Sequence, residues 1–542
     1  MVEKSVRPPV KTRSLGLALS LSLALLGMQA LVLAPLSHAD DKAATAATTA
    51  PAVAAATAEP MGDVDGSATG TASDVTAKVA GKPSFDEVAA DLGHTKVALN
   101  FVWMLLCGFL VFFMQAGFAL LETGFVRSKN AGHVMFMNLS IFFIGVLAYW
   151  ISGYALQMGS VAGLSQLGGV AVANGEFSIK LLGHDFGLFA TKGWFLAGKC
   201  YDVSFWALFL FSVVFMDAAC TIPTGAMAER WKTSSFILFG FVMAGLVYPL
   251  YGNWVWGNGW LAKLGSNFHL GHGHVDFAGS TVVHMVGGMA ALAGIIVLGP
   301  RIGKFDKKGK AQAIPGHHLP MAVLGTLVLG FGWFGFNAGS TMAGTDLRLA
   351  VVAVNTMIAS CWGGAVAIIY MKRTTGKWDL AMACNGYLAG LVAITAPCAF
   401  VNIWGATAIG IVAGFLAPIA YSFIENTLKL DDAVGAVAVH GANGAWGGLA
   451  LGLFADGSYG EGWNGVAGKV TGLFYGDASQ FMAQLIGVAT CLVFVLGFFY
   501  AFFKVTDAIW GIRVSQEVEI MGLDAADLGT AAYDEFQLTH QR

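Results

Sequence analysis

Two stretches far apart in the chain carry the same spacing of an aspartate, two glycines and a histidine. They are Asp276-x2-Gly279-x4-His284-x3-Gly288 and Asp432-x2-Gly435-x4-His440-x3-Gly444. The neighbours of each histidine are mostly apolar residues that would normally face lipid or packed protein. An ionisable group inside a membrane is costly and usually marks an ion or proton pathway, and paired copies in two halves of a chain are typical of transporters. The repeat therefore predicts a two-fold membrane transporter.

The two histidines can do proton chemistry if they meet. A neutral imidazole donates a hydrogen bond through one nitrogen and accepts one through the other, so two adjacent rings can share one proton and relay a second. We predict that His284 and His440 meet near the membrane midplane, although a lone histidine in a helix is more often a satisfied core residue. Asp276 and Asp432 lie eight residues earlier and can cap the same helices. Asp276 could also attract a cation.

A second group of residues that can do chemistry is aromatic. Phe211 and Phe215 are one helical turn apart, and Trp256 and Phe336 lie in other apolar segments. Such rings are usually core or interfacial residues. If they converge, each can bind a cation through its π face for roughly 0.5–2 kcal/mol. The Ser340 hydroxyl can accept a hydrogen bond from the same ion, so the sequence predicts a site for a small, protonated cation.

The composition indicates a membrane protein. The 542 residues are 56% hydrophobic and 12% charged, with a mean hydropathy of +0.67, whereas soluble domains are about 25% charged. A net charge of -3 without a basic cluster argues against a nucleic-acid partner. The seven cysteines form no CxxC pair, so we predict no metal site and no cofactor.

The chain divides into four predicted parts. Residues 1–39 have a basic start, an apolar run and a small-x-small cleavage pattern, which is typical of a secretory signal peptide, the alternative being an uncleaved first helix. Residues 40–95 are rich in Ala, Thr and Asp and are predicted to be a disordered extracytoplasmic lead. Residues 96–510 form the predicted membrane domain, and residues 511–542 form a predicted cytoplasmic tail.

Eleven apolar segments of spanning length are predicted in the membrane domain. They lie near residues 97–124, 133–158, 203–225, 234–252, 277–299, 319–340, 347–371, 380–397, 402–422, 435–455 and 480–506. The loops that carry most Lys and Arg should face the cytoplasm, which places the amino end outside and the carboxyl tail inside the cell. We expect a multi-pass protein of the inner (plasma) membrane with two inverted five-helix halves and a final helix.

The sequence resembles the ammonium transporters of the Amt/Mep/Rh family over about residues 95–525. The matching motifs are Phe118-Ala-Leu-Leu-Glu-Thr-Gly-Phe-Val-Arg-Ser-Lys-Asn130, Ala228-Glu-Arg230, Asp276-Phe-Ala-Gly-Ser-Thr-Val-Val-His284, His318-Leu-Pro-Met321, Gly332-Trp-Phe-Gly-Phe-Asn-Ala-Gly-Ser340 and Val439-His-Gly441. The resemblance implies a homotrimer of eleven-helix protomers, each with its own central pore. It also implies transport of ammonium, with methylammonium as an analogue, and no enzymatic activity.

The resemblance also implies roles for individual residues. The outer ammonium site would consist of Phe211, Trp256 and Ser340, supported by Asp276. The gate would consist of Phe215 and Phe336, stacked above the pore histidines His284 and His440. Ammonium would lose its proton at the outer site, ammonia would pass the apolar pore, and proton transfer along the histidines or pore water would make the cycle electrogenic.

Three positions depart from the family pattern. Gly435 stands where many members have a second acid, which leaves the support of that helix open. Asp217 is an acid inside a predicted span, and we favour a bundle-buried role with a partner over pore lining. The tail from Gly511 to Asp524 resembles the family's cytoplasmic regulatory segment, which implies regulation by a PII-class protein, but Asp527-Leu-Gly529 replaces the usual acid-His-Gly.

Two other functions remain open from the sequence. An ammonium sensor would keep the fold and the binding site, but no signalling domain follows the tail. A haem-bearing membrane oxidoreductase would use His284 and His440 as axial ligands, and a visible spectrum would reveal it.

Overall fold

The computed structural model describes residues 84–161, 163–169, 175–197 and 202–533. The predicted signal peptide, residues 1–39, and most of the predicted lead, residues 40–95, lie outside the described residues. Helices dominate the described part of the chain and pack around a large apolar core.

Eleven longer helices follow one another in the described part of the chain. Their bounds are α1 Phe85–Phe125, α2 Ser128–Met158, α3 Val203–Ala226, α4 Thr233–Trp256, α5 Ser280–Leu298, α6 Leu319–Gly339, α7 Arg348–Thr375, α8 Leu380–Thr395, α9 Ile403–Thr427, α10 Val437–Ala442 continued by Asn443–Phe454, and α11 Ala478–Trp510.

The eleven helices coincide with the eleven predicted segments. Within the described residues, nine are long and apolar enough to cross a membrane, and α8 is apolar but shorter. The eleventh, α10, carries the polar side chains of His440 and Asn443 among its apolar residues. The predicted all-helical membrane fold is confirmed, and the helix count is consistent with two five-helix halves plus a final helix.

The start of α1 differs from the prediction. We expected a disordered lead up to residue 95, but α1 begins at Phe85. The Ser84 Oγ accepts a hydrogen bond from the Glu87 backbone N–H (3.3 Å), and the Glu87 carboxylate accepts one from the Ser84 backbone N–H (2.6 Å). This capping box satisfies two N–H groups that a helix start otherwise leaves unpaired. The predicted disorder therefore does not hold for residues 85–95.

A β-hairpin between α2 and α3 was not predicted. Strands β1 Glu176–Leu181 and β2 His184–Ala190 pair in antiparallel register. The turn residues Leu182 and Gly183 have φ values of 52° and 83°, which suit a tight two-residue hairpin turn. We call the end of the bundle that carries this hairpin the hairpin face.

The carboxyl tail packs against the opposite end of the bundle, which we call the tail face. The Asp524 carboxylate accepts a hydrogen bond from the backbone N–H of His133 (2.7 Å) near the start of α2. The Glu519 carboxylate accepts one from the backbone N–H of Ile302 (2.7 Å), just after α5. Residues 511–533 thus connect two transmembrane helices that are distant in sequence.

The tail segment that departs from the family pattern, Asp527-Leu-Gly529, also contacts the bundle. The Asp527 Oδ2 accepts a hydrogen bond from the Thr233 hydroxyl (2.5 Å) at the start of α4. The altered motif therefore still ties the tail to the bundle.

Candidate functional site

Both repeat aspartates cap the helix that carries the histidine. The Asp276 carboxylate accepts hydrogen bonds from four successive backbone N–H groups, residues 279–282, and from the Thr281 hydroxyl, at 2.5–3.0 Å. The Asp432 carboxylate accepts three, from the N–H groups of residues 436–438, at 2.8–3.4 Å. These bonds satisfy the N–H groups at the two helix starts, where the helix dipole also favours a negative charge.

The repeat glycines have two structural roles. Gly279 and Gly435 have φ values of 116° and 84°, a region in which a side chain is strained. Gly288 and Gly444 allow α5 and α10 to cross closely. A Cβ on Gly288 would lie 2.3 Å from the backbone nitrogen of Gly441, and a Cβ on Gly444 would lie 2.6 Å from the α5 backbone. The departure from the family pattern at Gly435 is thus explained by its backbone conformation.

The histidines of the two copies meet where α5 and α10 cross. The Nδ1 atoms of His284 and His440 are 3.2 Å apart, and the ring centroids are 5.3 Å apart. A hydrogen bond between these atoms requires that one ring carries its proton on Nδ1 and the other does not. The donor ring then has a bare Nε2, and the acceptor ring has an Nε2–H. The pair forms a continuous chain of four ring nitrogens through the core.

Aromatic rings surround the histidine pair. Trp333 and Phe336 stack on His284, with centroid distances of 4.9 Å and 5.4 Å. Phe118 lies 6.0 Å from His440 on the other side. His284 is fully buried, and no group of the described residues bonds to its Nε2. An apolar enclosure of this kind penalises any charged species that enters it.

A cavity of about 380 Å³ opens toward the hairpin face. Five of the predicted site residues line it: Phe211 and Phe215 from α3, Trp256 from α4, Asp276 from the loop before α5, and Ser340 directly after α6. The structure therefore brings together residues that are up to 129 positions apart in sequence (340 minus 211). We call this space the outer cavity.

The polar groups of the outer cavity have defined partners. The Ser340 hydroxyl donates to the Phe336 carbonyl (2.8 Å), so its oxygen lone pairs remain available as acceptors. The Trp256 indole N–H donates to the Asp276 carbonyl (2.7 Å), which fixes the ring at the cavity wall. Both carboxylate oxygens of Asp276 are occupied by the helix cap, so its charge acts on the cavity without a free acceptor atom.

Two stacked rings separate the outer cavity from the histidines. The centroids of Phe215 and Phe336 are 4.0 Å apart with an interplanar angle of 24°. Phe215 lines the outer cavity, whereas Phe336 stacks on His284. A molecule that passes from the cavity to the histidines must displace these rings.

Several residues of the outer cavity were not predicted from the sequence. Asp346, Tyr459 and Trp463 also line it, and the Tyr459 hydroxyl donates to the Asp346 carboxylate (2.5 Å). These residues lie in loops between helices, where no hydrophobic period or repeat signals their position.

A much smaller cavity adjoins His440 on the side of the tail face. Its volume is about 10 Å³, which is roughly the room that one water molecule needs. Its lining includes Glu122, Asn385, Gly435 and His440. We call it the inner cavity. Glu122 was not predicted as a site residue, although an acid inside an apolar span is a signal that could have identified it.

Asp217 is buried in α3 and lines neither cavity. The structure thus places it inside the bundle, as we favoured. It does not show the expected partner, because no group of the described residues bonds to the Asp217 Oδ1.

A buried charge cluster supports the start of α10 at the tail face. The Arg301 guanidinium makes two hydrogen bonds to the Asp431 carboxylate, at 2.8 Å and 2.9 Å. Burial alone raises the pKa of Asp431, but the charges of Arg230 and Arg301 lower it below its usual value overall. For the neighbouring Asp432, burial raises the pKa to about 6 against the opposing effect of its backbone hydrogen bonds. The pKa values of these two adjacent acids are therefore shifted in opposite directions, that of Asp431 downward and that of Asp432 upward.

The family model and the similar proteins agree on one family. Residues 102–533 match the model of the Ammonium Transporter Family. The ammonium transporter Amt2 of Archaeoglobus fulgidus is 46% identical over 453 residues, which cover 82% of this chain and 90% of that protein. The ammonium transporter Amt1 of Haloferax mediterranei is 36% identical over 450 residues, which cover 81% of this chain and 80% of that protein.

Solved structures share the fold. A sensor Amt protein matches with a TM-score of 0.68 and 34% identity, covering 80% of this chain and 99% of that one. Mep2 of Candida albicans matches with a TM-score of 0.66 and 27% identity, covering 82% of this chain and 93% of that one. The matched range of residues 102–533 contains both copies of the repeat and the lining of both cavities.

Proposed function

The chain belongs to the ammonium transporter family, and on this premise we propose that it captures ammonium in the outer cavity and conducts ammonia past His284 and His440. Members of this family are transporters or channels and not enzymes. The observation that carries the proposal is the His284–His440 contact directly below a stacked aromatic gate and an aromatic cavity.

Ammonium capture rests on the aromatic faces and one hydroxyl. Phe211 and Trp256 present rings to the outer cavity, and each ring face attracts a cation. The Ser340 oxygen has free lone pairs that can accept an N–H of the ion. Asp276 adds a negative charge at the cavity wall. This combination favours a small cation that carries protons.

Deprotonation follows from the cost of moving a charge through the gate. Beyond Phe215 and Phe336 the path is lined by Trp333, His284 and other buried side chains. A charge in such surroundings costs far more than a neutral molecule of the same size. Ammonium can lose a proton and pass as ammonia, whereas potassium has no proton to lose and is excluded.

The proton has its own route along the histidine pair. A proton that binds one Nε2 can push the shared proton across the Nδ1–Nδ1 contact, and the second ring can then release a proton from its Nε2. Charge then moves across the membrane with each ammonia molecule, and transport is electrogenic.

We also propose the setting in which this pore works. The hairpin face lies outside the cell and the tail face in the cytoplasm of a plasma-membrane protein, with a homotrimer as the assembly. Large apolar side chains exposed on α6 and α7, such as Phe331 and Trp362, need either lipid or a neighbouring protomer to cover them. The tail face offers a surface for a PII-class regulatory protein.

The test is an ammonium pulse on purified protein in proteoliposomes, recorded as a transient current. We expect a saturable current that potassium does not evoke and that protein-free vesicles lack. If the current is absent but a pH-sensitive dye reports ammonia uptake, the pore conducts neutral ammonia and the proton route is overturned. If neither signal appears, transport itself is overturned and the sensor alternative gains support. A Soret band in the same sample would indicate a haem protein instead.

A further inference from the structure

Glu122 is a buried carboxylate that the proposed mechanism does not yet use. It lies on α1, one helical turn beyond Phe118 toward the tail face, and only 2% of its surface is exposed. A carboxylate in the interior of a membrane bundle is costly unless hydrogen bonds compensate it. Its position therefore needs either a structural or a functional reason.

The hydrogen bonds of Glu122 leave its two oxygens unequal. The Asn138 side-chain amide (2.8 Å) and the Thr224 hydroxyl (2.7 Å) both donate to Oε2. No side-chain donor of the described residues bonds to Oε1, but the backbone N–H of Gly225 is a further donor to the carboxylate. The side-chain network thus holds the carboxylate in place chiefly through Oε2.

The inner cavity links Glu122 to the histidine pair. Glu122 and His440 both line this cavity, which has room for about one molecule of the size of water or ammonia. The other lining side chains are apolar except for the amide of Asn385. Among the residues that line it, Glu122 is the one besides His440 that can take up or release a proton.

We propose that Glu122 is the tail-side proton-exchange site of the pore, where ammonia that has passed His440 becomes ammonium again. The inference rests on the proposed function. The Glu122 carboxylate accepts the proton that the His440 imidazolium releases, directly or through the molecule in the inner cavity, and an O–H bond forms. Ammonia then takes this proton, the O–H bond breaks, and an N–H bond forms. Ammonium leaves, and the carboxylate is restored.

The location of Glu122 also gives the exit a favourable charge. A carboxylate attracts the ammonium that forms beside it, so the product is stabilised where hydration begins. At the hairpin face, the outer cavity presents aromatic rings and a hydroxyl, and its two carboxylates, Asp276 and Asp346, accept hydrogen bonds from protein groups. The outer and inner cavities would thus bind the same ion through different groups.

The test uses Glu122→Gln, with Asp217→Asn as the matched control. Both variants replace a buried carboxylate by an amide, but Asp217 lines neither cavity. In Glu122→Gln we expect the ammonium-evoked current to fall about tenfold or more, while ammonia still passes and, no longer accompanied by a proton, makes the vesicle lumen alkaline, as the dye reports. Asp217→Asn should match the wild-type protein in both, and Glu122→Asp should recover much of the current.

The outcomes separate the inference from the proposed function. An unchanged current in Glu122→Gln overturns the role of Glu122, and so does a parallel loss of current and ammonia conduction, which would indicate a structural role. A wild-type protein without current overturns the proton route itself. If Glu122→Gln does not fold, infrared difference spectra of the wild-type protein and Glu122→Asp decide. Ammonium should change a carboxyl C=O band in the wild-type protein and shift that band in Glu122→Asp; spectra without this change overturn the proposal.

Discussion

The copy of the repeat at the hairpin face, with Asp276 and His284, lies beside a cavity of about 380 Å³, whereas the copy with Asp432 and His440 meets one of about 10 Å³. The aspartate cap, the positive-φ glycine, the histidine and the crossing glycine recur in both copies. Their surroundings do not recur: the outer cavity is lined by several aromatic rings together with Asp276 and Asp346, whereas the inner one has the single carboxylate of Glu122 among mostly apolar side chains. Symmetry thus builds the scaffold, and the differences between the copies supply the chemistry of the two mouths.

Of the features that the two copies share, the close crossing of α5 and α10 should be the most sensitive to substitution. In Gly288→Val, the new Cβ would clash with the backbone of Gly441, and the neighbouring helix cannot move without separating the histidines. We expect no folded, monodisperse protein in size-exclusion chromatography. Gly497→Val on α11 is the control, because a Cβ there meets no atom within 4 Å. A folded Gly288→Val protein would show that the close crossing is not required.

The two histidines should contribute equally to the ammonium current, although they lie toward different cavities. His284→Ala and His440→Ala each remove one half of the proposed relay, and we expect ammonium current to fall by roughly 100-fold in both, a typical contribution of a positioned proton-transfer group. Melting temperature should show that both variants are folded. His94→Ala, at the start of α1, should transport normally. Full selective current in either pore variant contradicts the relay.

The two acids at the tail face, Asp431 and Asp432, should contribute to folding stability with opposite dependence on pH. The pKa of Asp432 is raised from 3.8 to about 6, so its stabilising contribution is complete below about pH 4 and is lost as the pH rises through 6, by about 3 kcal/mol at most. The melting temperature of Asp432→Asn minus that of the wild type should therefore rise between about pH 4 and pH 7.

Asp431→Asn is the matched control for this window. Because the folded pKa of Asp431 lies below 3.8, its contribution is complete above that value and is lost only at lower pH. The corresponding difference for Asp431→Asn should stay flat from about pH 5 to pH 7. A flat line for Asp432→Asn would contradict the assigned direction.

The smallest effect should concern ammonium binding in the outer cavity. Ser340→Ala removes one acceptor of the bound ion, a loss of about 1 kcal/mol, and we expect the ammonium concentration for half-maximal current to rise about fivefold. The maximal current should change little, since the pore below is intact. Ser234→Ala, at the tail-face end of α4, should leave both values unchanged. An unchanged half-maximal concentration in Ser340→Ala argues against its role in capture.

Periodic and repeated features could be read from the sequence, whereas local hydrogen bonds could not. The spans followed from apolar length, and the meeting of His284 and His440 followed from matching repeat positions. The start of α1 and the β-hairpin were missed because a cap and a two-residue turn are short local signals beside long apolar runs. Glu122 could have been noticed as an acid inside an apolar span, but which cavity it lines depends on helix packing, which the sequence does not show.

The bond between the two histidine Nδ1 atoms has a further consequence for the timing of transport. If a proton enters on one side and another leaves on the other, each ring ends with its proton on the opposite nitrogen, and the bond between the rings reverses its direction. The pair then accepts a proton only from the side to which it has just delivered one. The direction of this hydrogen bond thus records the direction of the last proton transfer. A second transfer in the same direction must wait until both rings have returned to their starting protonation.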